Sequence, residues 1–224
     1  LYLPSTASYE PPDHVTHTNS VVKLPIEQIM PRQEVGIRRA RALPYDLHVT
    51  TWILPSEARL KIKFHNSGNA AAVFHVRDQS GGTPPKFYTV EPGKNLEDHW
   101  SISKSDHYDI DIYGPNGFFR QFSGQVTNQT EAARLTSMSK PTSQRLLLSL
   151  DASITNFSVE NRYNHCKTSH TLNFAPAQIE IDTTETYGWY DITVRGNGMI
   201  WRLGGHIENG NPSMTDPAIA QETV

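Results

Sequence analysis

The amino-acid sequence predicts an all-β protein, two tandem β-sandwich domains behind an extended Pro-rich arm. Three observations carry this. Strand-sized runs follow one another at close spacing, with clusters of Gly, Pro, Asn and Ser between them. No segment sustains an apolar stripe at the 3.6-residue period of a helix. The second half of the chain repeats the first.

Residues 1–44 are read as the arm. Pro4, Pro11, Pro12, Pro25, Pro31 and Pro44 punctuate it, and its hydrophobic periodicity is poor. Its basic run, Ile37 to Arg41, reads as a solvated strand edge. Residues 45–127 are read as the first sandwich. Asp46 to Leu54 alternates loosely, and Arg59 to His65 alternates cleanly with Leu60, Ile62 and Phe64 on one face. Asn66 to Asn69 is a turn, across which Ala70 to Val76 is expected to pair back. Phe87 to Val90 and Leu96 to Ile102 are further strands, separated by the turn Glu91-Pro92-Gly93-Lys94.

Residues 128–224 are read as the second sandwich with a C-terminal tail, the boundary falling between Asn128 and Ser143. Thr130 to Lys140 reads as a linker or a turn of helix. Arg145 to Leu150, Ala152 to Val159, Thr168 to Phe174, Gln178 to Ile181, Tyr190 to Val194 and Met199 to Ile207 contain strand-like runs. At about 100 residues per domain, each half fits an immunoglobulin-like sandwich.

The repeat is clearest in YDIDIYGPNGFFRQFSGQV, Tyr108 to Val126, which recurs as YDITVRGNGMIWRLGGHI, Tyr190 to Ile207. Phe122 matches Leu203, and Gly124 matches Gly205. Upstream, RLKIKFHNSG at Arg59 resembles RLLLSLDAS at Arg145, and FHVRDQ at Phe74 resembles FSVENR at Phe157. A period of about 82–86 residues is too long for a solenoid unit and points to two copies of one domain. Asn-Gly is the preferred centre of a two-residue hairpin turn, because both central residues need positive φ. Asp109, Asp111 and Arg120 suggest a site at first sight. Their recurrence in a hairpin makes Asp109 and Asp191 scaffold residues expected to bond turn or loop backbone, while Asp111 becomes Thr193.

The bulk properties exclude other classes. A net charge of −3 leaves no strong field for nucleic acid. One cysteine, Cys166, permits no intrachain disulfide. No run of about 18 apolar residues exists to span a membrane. The first residues lack the basic start and apolar run of a signal peptide, and the chain is expected to be a piece of a longer protein.

Several segments together carry a family resemblance: RRARALPYDLHV from Arg38, FYTVEPGKNLEDHW from Phe87, YDIDIYGPNGFFRQFSG from Tyr108, GWYDITV from Gly188 and RLGGHIENGNPSMTDPA from Arg202. Their order and duplication resemble the C-terminal region of bacterial phosphocholine-preferring phospholipases C. The resemblance implies a parent enzyme, secreted or periplasmic, that cleaves phosphatidylcholine or sphingomyelin. It also implies an N-terminal phosphoesterase catalytic domain in the same protein as partner, with a phosphatidylcholine or sphingomyelin membrane surface as a second. A free-standing carbohydrate- or cell-surface-binding module is the alternative.

No catalytic residue, metal ligand or cofactor is assigned. His14 and His17 lie in the arm. His165, Cys166 and His170 make half a zinc site at most, since a structural site wants four ligands. No G-x-S-x-G elbow is present. The candidate site residues are aromatic: Tyr113, Phe118, Phe119 and Trp201, near the two Asn-Gly turns, as a lipid or domain interface.

Overall fold

The computed structural model describes residues 35–102, 107–126, 133–151, 154, 156–171 and 177–220. The rest of the arm, with His14 and His17, lies outside them, as does the end of the strand expected to reach Phe174.

The first half comprises β1 (Arg39–Ala40), β2 (Leu47–Leu54), β3 (Arg59–Asn66), β4 (Ala72–Asp78), β5 (Lys86–Val90), β6 (Lys94–Ser101), β7 (His107–Tyr113) and β8 (Phe119–Gln125). The second comprises β9 (Leu135–Lys140), β10 (Arg145–Leu150), β11 (Asn156–Asn161), β12 (Cys166–Thr171), β13 (Ala177–Asp182), β14 (Trp189–Gly196), β15 (Met199–His206) and β16 (Ser213–Met214). The protein is all-β.

The strands form two layers. One is a single eight-stranded sheet in the order β12-β11-β14-β15-β8-β7-β4-β5. The other consists of two three-stranded sheets, β2-β3-β6 and β13-β10-β9. β2 and β9 lie side by side, where His48 Nδ1 is 3.3 Å from the Ser137 carbonyl. Each half contributes four strands to the large sheet and three to the small one, in the same order. β8 joins β15 at the centre, antiparallel, with Gln121 opposite Arg202. Because Gln121 and Arg202 are matching residues of the two copies, a pseudo-twofold axis passes between them.

Alternation builds the core. On β3, Leu60, Ile62 and Phe64 are at most 1% exposed; on β10, Leu146, Leu148 and Leu150 match them. Phe64 packs on Phe74 and Tyr88, with ring centroids 5.0 and 4.7 Å apart, and so joins the two layers. Burying each such side chain contributes about 1.5–3 kcal/mol. The hairpin turns have the expected backbone: φ is 58° and 70° at Asn116 and Gly117, and 50° and 74° at Asn197 and Gly198.

Two expectations are corrected. β4 does not pair back on β3. It pairs with β5 and β7, while β3 pairs with β2 and β6, so the Asn66–Asn69 turn carries the chain between layers. Alternation tells which residues face inward but not which layer a strand joins. Within Thr130 to Lys140, Leu135–Lys140 is strand β9. It lies at the edge of its small sheet, with Leu135 buried and Met138 60% exposed, which leaves little pattern to read. Arg120 and the acids Asp109 and Asp111 do not gather into a site, in keeping with the hairpin reading. The register sets Arg120 opposite Ile112, inside the core and 1% exposed, whereas both acids point out through the other side of the sheet.

Candidate functional site: the open face of the eight-stranded sheet

The small sheets cover one side of the large sheet; on the other, among the described residues, the strands present are the short β1–β16 ladder, which bonds Trp189 and His206 at one end. Cross-strand register writes three rows of side chains on that open face. The central row runs Arg77, Asp111, Gln121, Arg202, Thr193, Glu160 across six strands. The pseudo-twofold exchanges its halves: Arg77 for Glu160, Asp111 for Thr193, Gln121 for Arg202.

The flanking rows are exchanged by the same axis, yet their chemistry differs. One reads Phe87, His75, Tyr113, Phe119, Gly204, Asp191. The other reads Ser169, Ser158, Arg195, Ile200, Ser123, Asp109. The first is an aromatic ladder. His75 and Phe87 meet edge to face at 4.7 Å, and Tyr113 and Phe119 have centroids 5.1 Å apart. Phe87 is 66% exposed, and Tyr113 and neighbouring Val73 about 40%.

Gly204 leaves a gap in the aromatic row, and the gap is the floor of a cleft of about 620 Å³. Phe119, Tyr113, Trp189 and Tyr163 stand around it. Asp191 accepts two hydrogen bonds from Arg202, 3.0 Å from Nε and 2.7 Å from Nη2, and Arg162 approaches to 3.5 Å. Arg202 also lies over the Phe119 ring at 5.4 Å. The rim is closed by Tyr163 donating to Asp216 at 2.7 Å and by Trp189 Nε1 donating to the Met214 carbonyl at 2.9 Å. Asp109 is equivalent to Asp191 and accepts from Gln121 at 3.1 Å. Both acids therefore bond side chains of the facing strand, not the turn or loop backbone expected.

Asp111 is 7% exposed although it stands on the open face. Its Oδ2 accepts from Gln79 at 2.7 Å and Tyr113 at 3.2 Å; its buried Oδ1 has no partner, and neither does the buried hydroxyl of Thr193. Burial raises the Asp111 carboxyl above the usual carboxylate range, against the two hydrogen bonds that favour its anion. The folded chain thus holds this proton to higher pH than the unfolded chain. Below about pH 4 both states are protonated and the effect vanishes. As pH rises, the unfolded chain ionises first and stability falls. Asp111→Asn should therefore raise stability at neutral pH by about 1 kcal/mol. Urea midpoints measured against pH should show that gain shrinking towards zero on acidification.

Of the four sequence candidates, Tyr113 and Phe119 reach the open face. Phe118, 6% exposed, and Trp201, 4% exposed, are in the core. Substituting Phe118 would test folding rather than contact with lipid. Sequence reasoning missed the Arg202–Asp191 pair, though a signal existed. The Asn197-Gly198 turn sets Gly196 opposite Met199, so Asp191 must face Gly204 and Arg202 must face Thr193, all on one side.

One further cluster looks catalytic. His206 Nδ1 is 2.9 Å from Glu208 Oε1, and its Nε2 is 3.3 Å from Ser213 Oγ. But Nε2 is closer, at 2.9 Å, to the Tyr187 carbonyl, which can only accept. The serine hydroxyl donates to this same carbonyl at 2.8 Å rather than to the ring. Glu208 also accepts from Asn116 at 2.7 Å and from the Leu43 amide at 3.0 Å. This cluster ties the first hairpin turn and the 35–44 segment to the chain after β15. Cys166 and His170 are separated by about 13 Å of strand, with the Thr168 hydroxyl 2.9 Å from His170. Among the described residues, no three His, Cys, Asp or Glu side chains converge.

Residues 39–125 match the family model described as the C-terminal domain of bacterial phospholipase C. The chain is 37% identical over 238 residues to a non-hemolytic phospholipase C of Burkholderia pseudomallei, covering 97% of this chain and 33% of that protein. It is 31% identical to a non-hemolytic phospholipase C of Pseudomonas aeruginosa, covering 90% of this chain and 31% of the relative. A hemolytic phospholipase C of the same organism is 28% identical, covering 85% and 30%. The chain thus spans about a third of the length of these relatives.

Proposed function

Because this chain belongs, through residues 39–125, to the family of bacterial phospholipase C C-terminal domains, we propose that it is the non-catalytic C-terminal region of a secreted bacterial phospholipase C. The parent enzyme hydrolyses phosphatidylcholine or sphingomyelin, and this region supports the catalytic domain or its encounter with a lipid surface. One observation carries the reading: nearly all of this chain aligns with about a third of each relative, leaving two thirds for the chemistry. On this reading residues 1–44 are the linking arm, and 45–127 and 128–224 are the two domains. The partner is an N-terminal phosphoesterase domain of the same polypeptide; no cofactor or nucleic acid is assigned.

The side chains agree with an accessory role. In the cleft, Asp191 is taken up by two arginines and Asp216 by Tyr163. In the Ser-His-Glu arrangement found among the described residues, the serine hydroxyl donates to the Tyr187 carbonyl and not to the imidazole. The chain expressed alone and offered a chromogenic phosphorylcholine ester should give no turnover above buffer. Robust turnover that scales with the amount of pure chain would overturn the reading.

A further inference from the structure

The two copies share one scaffold, and its inward residues answer to the same packing in both. The open face does not. Scaffold packing gives no reason for Phe87, His75, Tyr113 and Phe119 in one row when Ser169, Ser158, Arg195 and Ile200 serve in the other. Exposed aromatic area reduces solubility and marks a surface that meets something. Aromatic and arginine side chains at the centre, with polar groups around them, are the composition of a protein interface core.

The occupant is chosen by chemistry and connectivity. The ladder lies flat along strands rather than at a protruding loop, and Asp109, Asp111 and Asp191 stand among or beside it. Lipid acyl chains offer no hydrogen-bond donors to these carboxylates. A protein surface can place donors opposite the carboxylates. Connectivity points the same way. β1 pairs with β16, Met214 of β16 is hydrogen-bonded to Trp189 in the cleft wall, and Asp216 just beyond lines the cleft. Arg38, just before β1, is paired with Thr215, between Met214 and Asp216. In the relatives about two thirds of the chain lies outside the part matched here, and the matched family is described as a C-terminal domain.

We propose that the open face of the eight-stranded sheet, from Phe87 through Tyr113 and Phe119 to the Arg202–Asp191 pair, is where the phosphoesterase portion of the same polypeptide docks. This rests on the functional reading above.

Thiol footprinting of the intact polypeptide tests it. Cys166, which is exposed, is first replaced by Ser. Single cysteines then replace Phe87 or Tyr113 on the open face, and Met138 on the outer side of a small sheet, 60% exposed. Maleimide labelling rates are each normalised to the same variant in urea. The expected result is labelling at least tenfold slower at Phe87→Cys and Tyr113→Cys than at Met138→Cys. Equal rates overturn the proposal. So does protection that needs phosphatidylcholine vesicles, or that disappears on dilution as it would for a second copy. Phe87 lies on an edge strand and is two-thirds exposed, so its variant remains informative if Tyr113→Cys does not fold. Phosphorylcholine-ester hydrolysis by the same preparation separates the two readings. An inactive wild-type polypeptide sinks the functional reading, and an active one with unprotected cysteines sinks only the docking face.

Discussion

Replacing Arg120 with Ala should destabilise the chain by about 3–5 kcal/mol, combining the loss of a large buried side chain with the loss of charged hydrogen bonds. For a protein of this size that lowers Tm by roughly 10 °C. Arg120 is 1% exposed, yet no carboxylate is among its hydrogen-bond partners. Its Nη1 donates to the Phe119 and Gly204 carbonyls, both at 2.7 Å, and its Nη2 to the Tyr190 hydroxyl at 3.0 Å. The guanidinium lies 4.2 Å from the Phe118 ring centroid and 5.6 Å from that of Tyr190. Gly204 and Tyr190 belong to the second half, so one side chain of the first copy fastens the β8–β15 seam. The other copy has Trp201 at this position, a second way of filling the same inward site. Arg120→Met keeps the packed stem and loses the donors, and should fall between wild type and Ala. Urea unfolding read by circular dichroism measures all three. A change below 1 kcal/mol for Ala would remove Arg120 from its role at the seam.

Asn66→Ala should cost about 3 kcal/mol, because three hydrogen bonds end on one buried amide. Asn66 is fully buried. Its Nδ2 donates to the carbonyls of Ala70 at 2.8 Å and Val90 at 2.9 Å, and its Oδ1 accepts from the Gly68 amide at 3.0 Å. These bonds fix the turn that carries the chain from the small sheet to the large one. Asn66→Asp is no rescue, since a carboxylate turns lone pairs towards two carbonyls. Calorimetry should find both variants well below wild type. A wild-type Tm in the Asp variant would contradict this account.

Much of the strand pattern could be read in the sequence because it rests on local rules. Arg59 to His65 alternates because one side is core, and Asn-Gly marks both hairpins because each turn needs two residues of positive φ. What escaped depends on which elements meet. Nothing local in Ala72–Asp78 says that it belongs to the opposite layer from Arg59–Asn66. Nothing local in Phe119–Gln125 says that its free edge joins Met199–His206 and makes one sheet of two copies. Arg120 defeats binary patterning altogether, as a charge at an inward position between Phe118 and Phe122. The aromatic candidates divided for the same reason: Phe118 and Phe119 are adjacent, and adjacency in a hairpin put one in the core and the other on the open face. The repeat held one more clue. Aligned residue by residue, it separates what the scaffold demands of both copies from what only one copy carries, and the ladder from Phe87 to Phe119 is of the second kind.

The proposed role is to support catalysis rather than to perform it. The residue here that most resembles a nucleophile is Ser213, beside His206 and Glu208. The most direct test is the kcat/KM of the intact polypeptide for a phosphorylcholine ester, with and without Ser213→Ala. Values within about twofold are expected, since the Ser213 hydroxyl donates to the Tyr187 carbonyl. A fall of about a thousandfold or more with an unchanged Tm, the scale expected when a nucleophile is removed, would contradict that role.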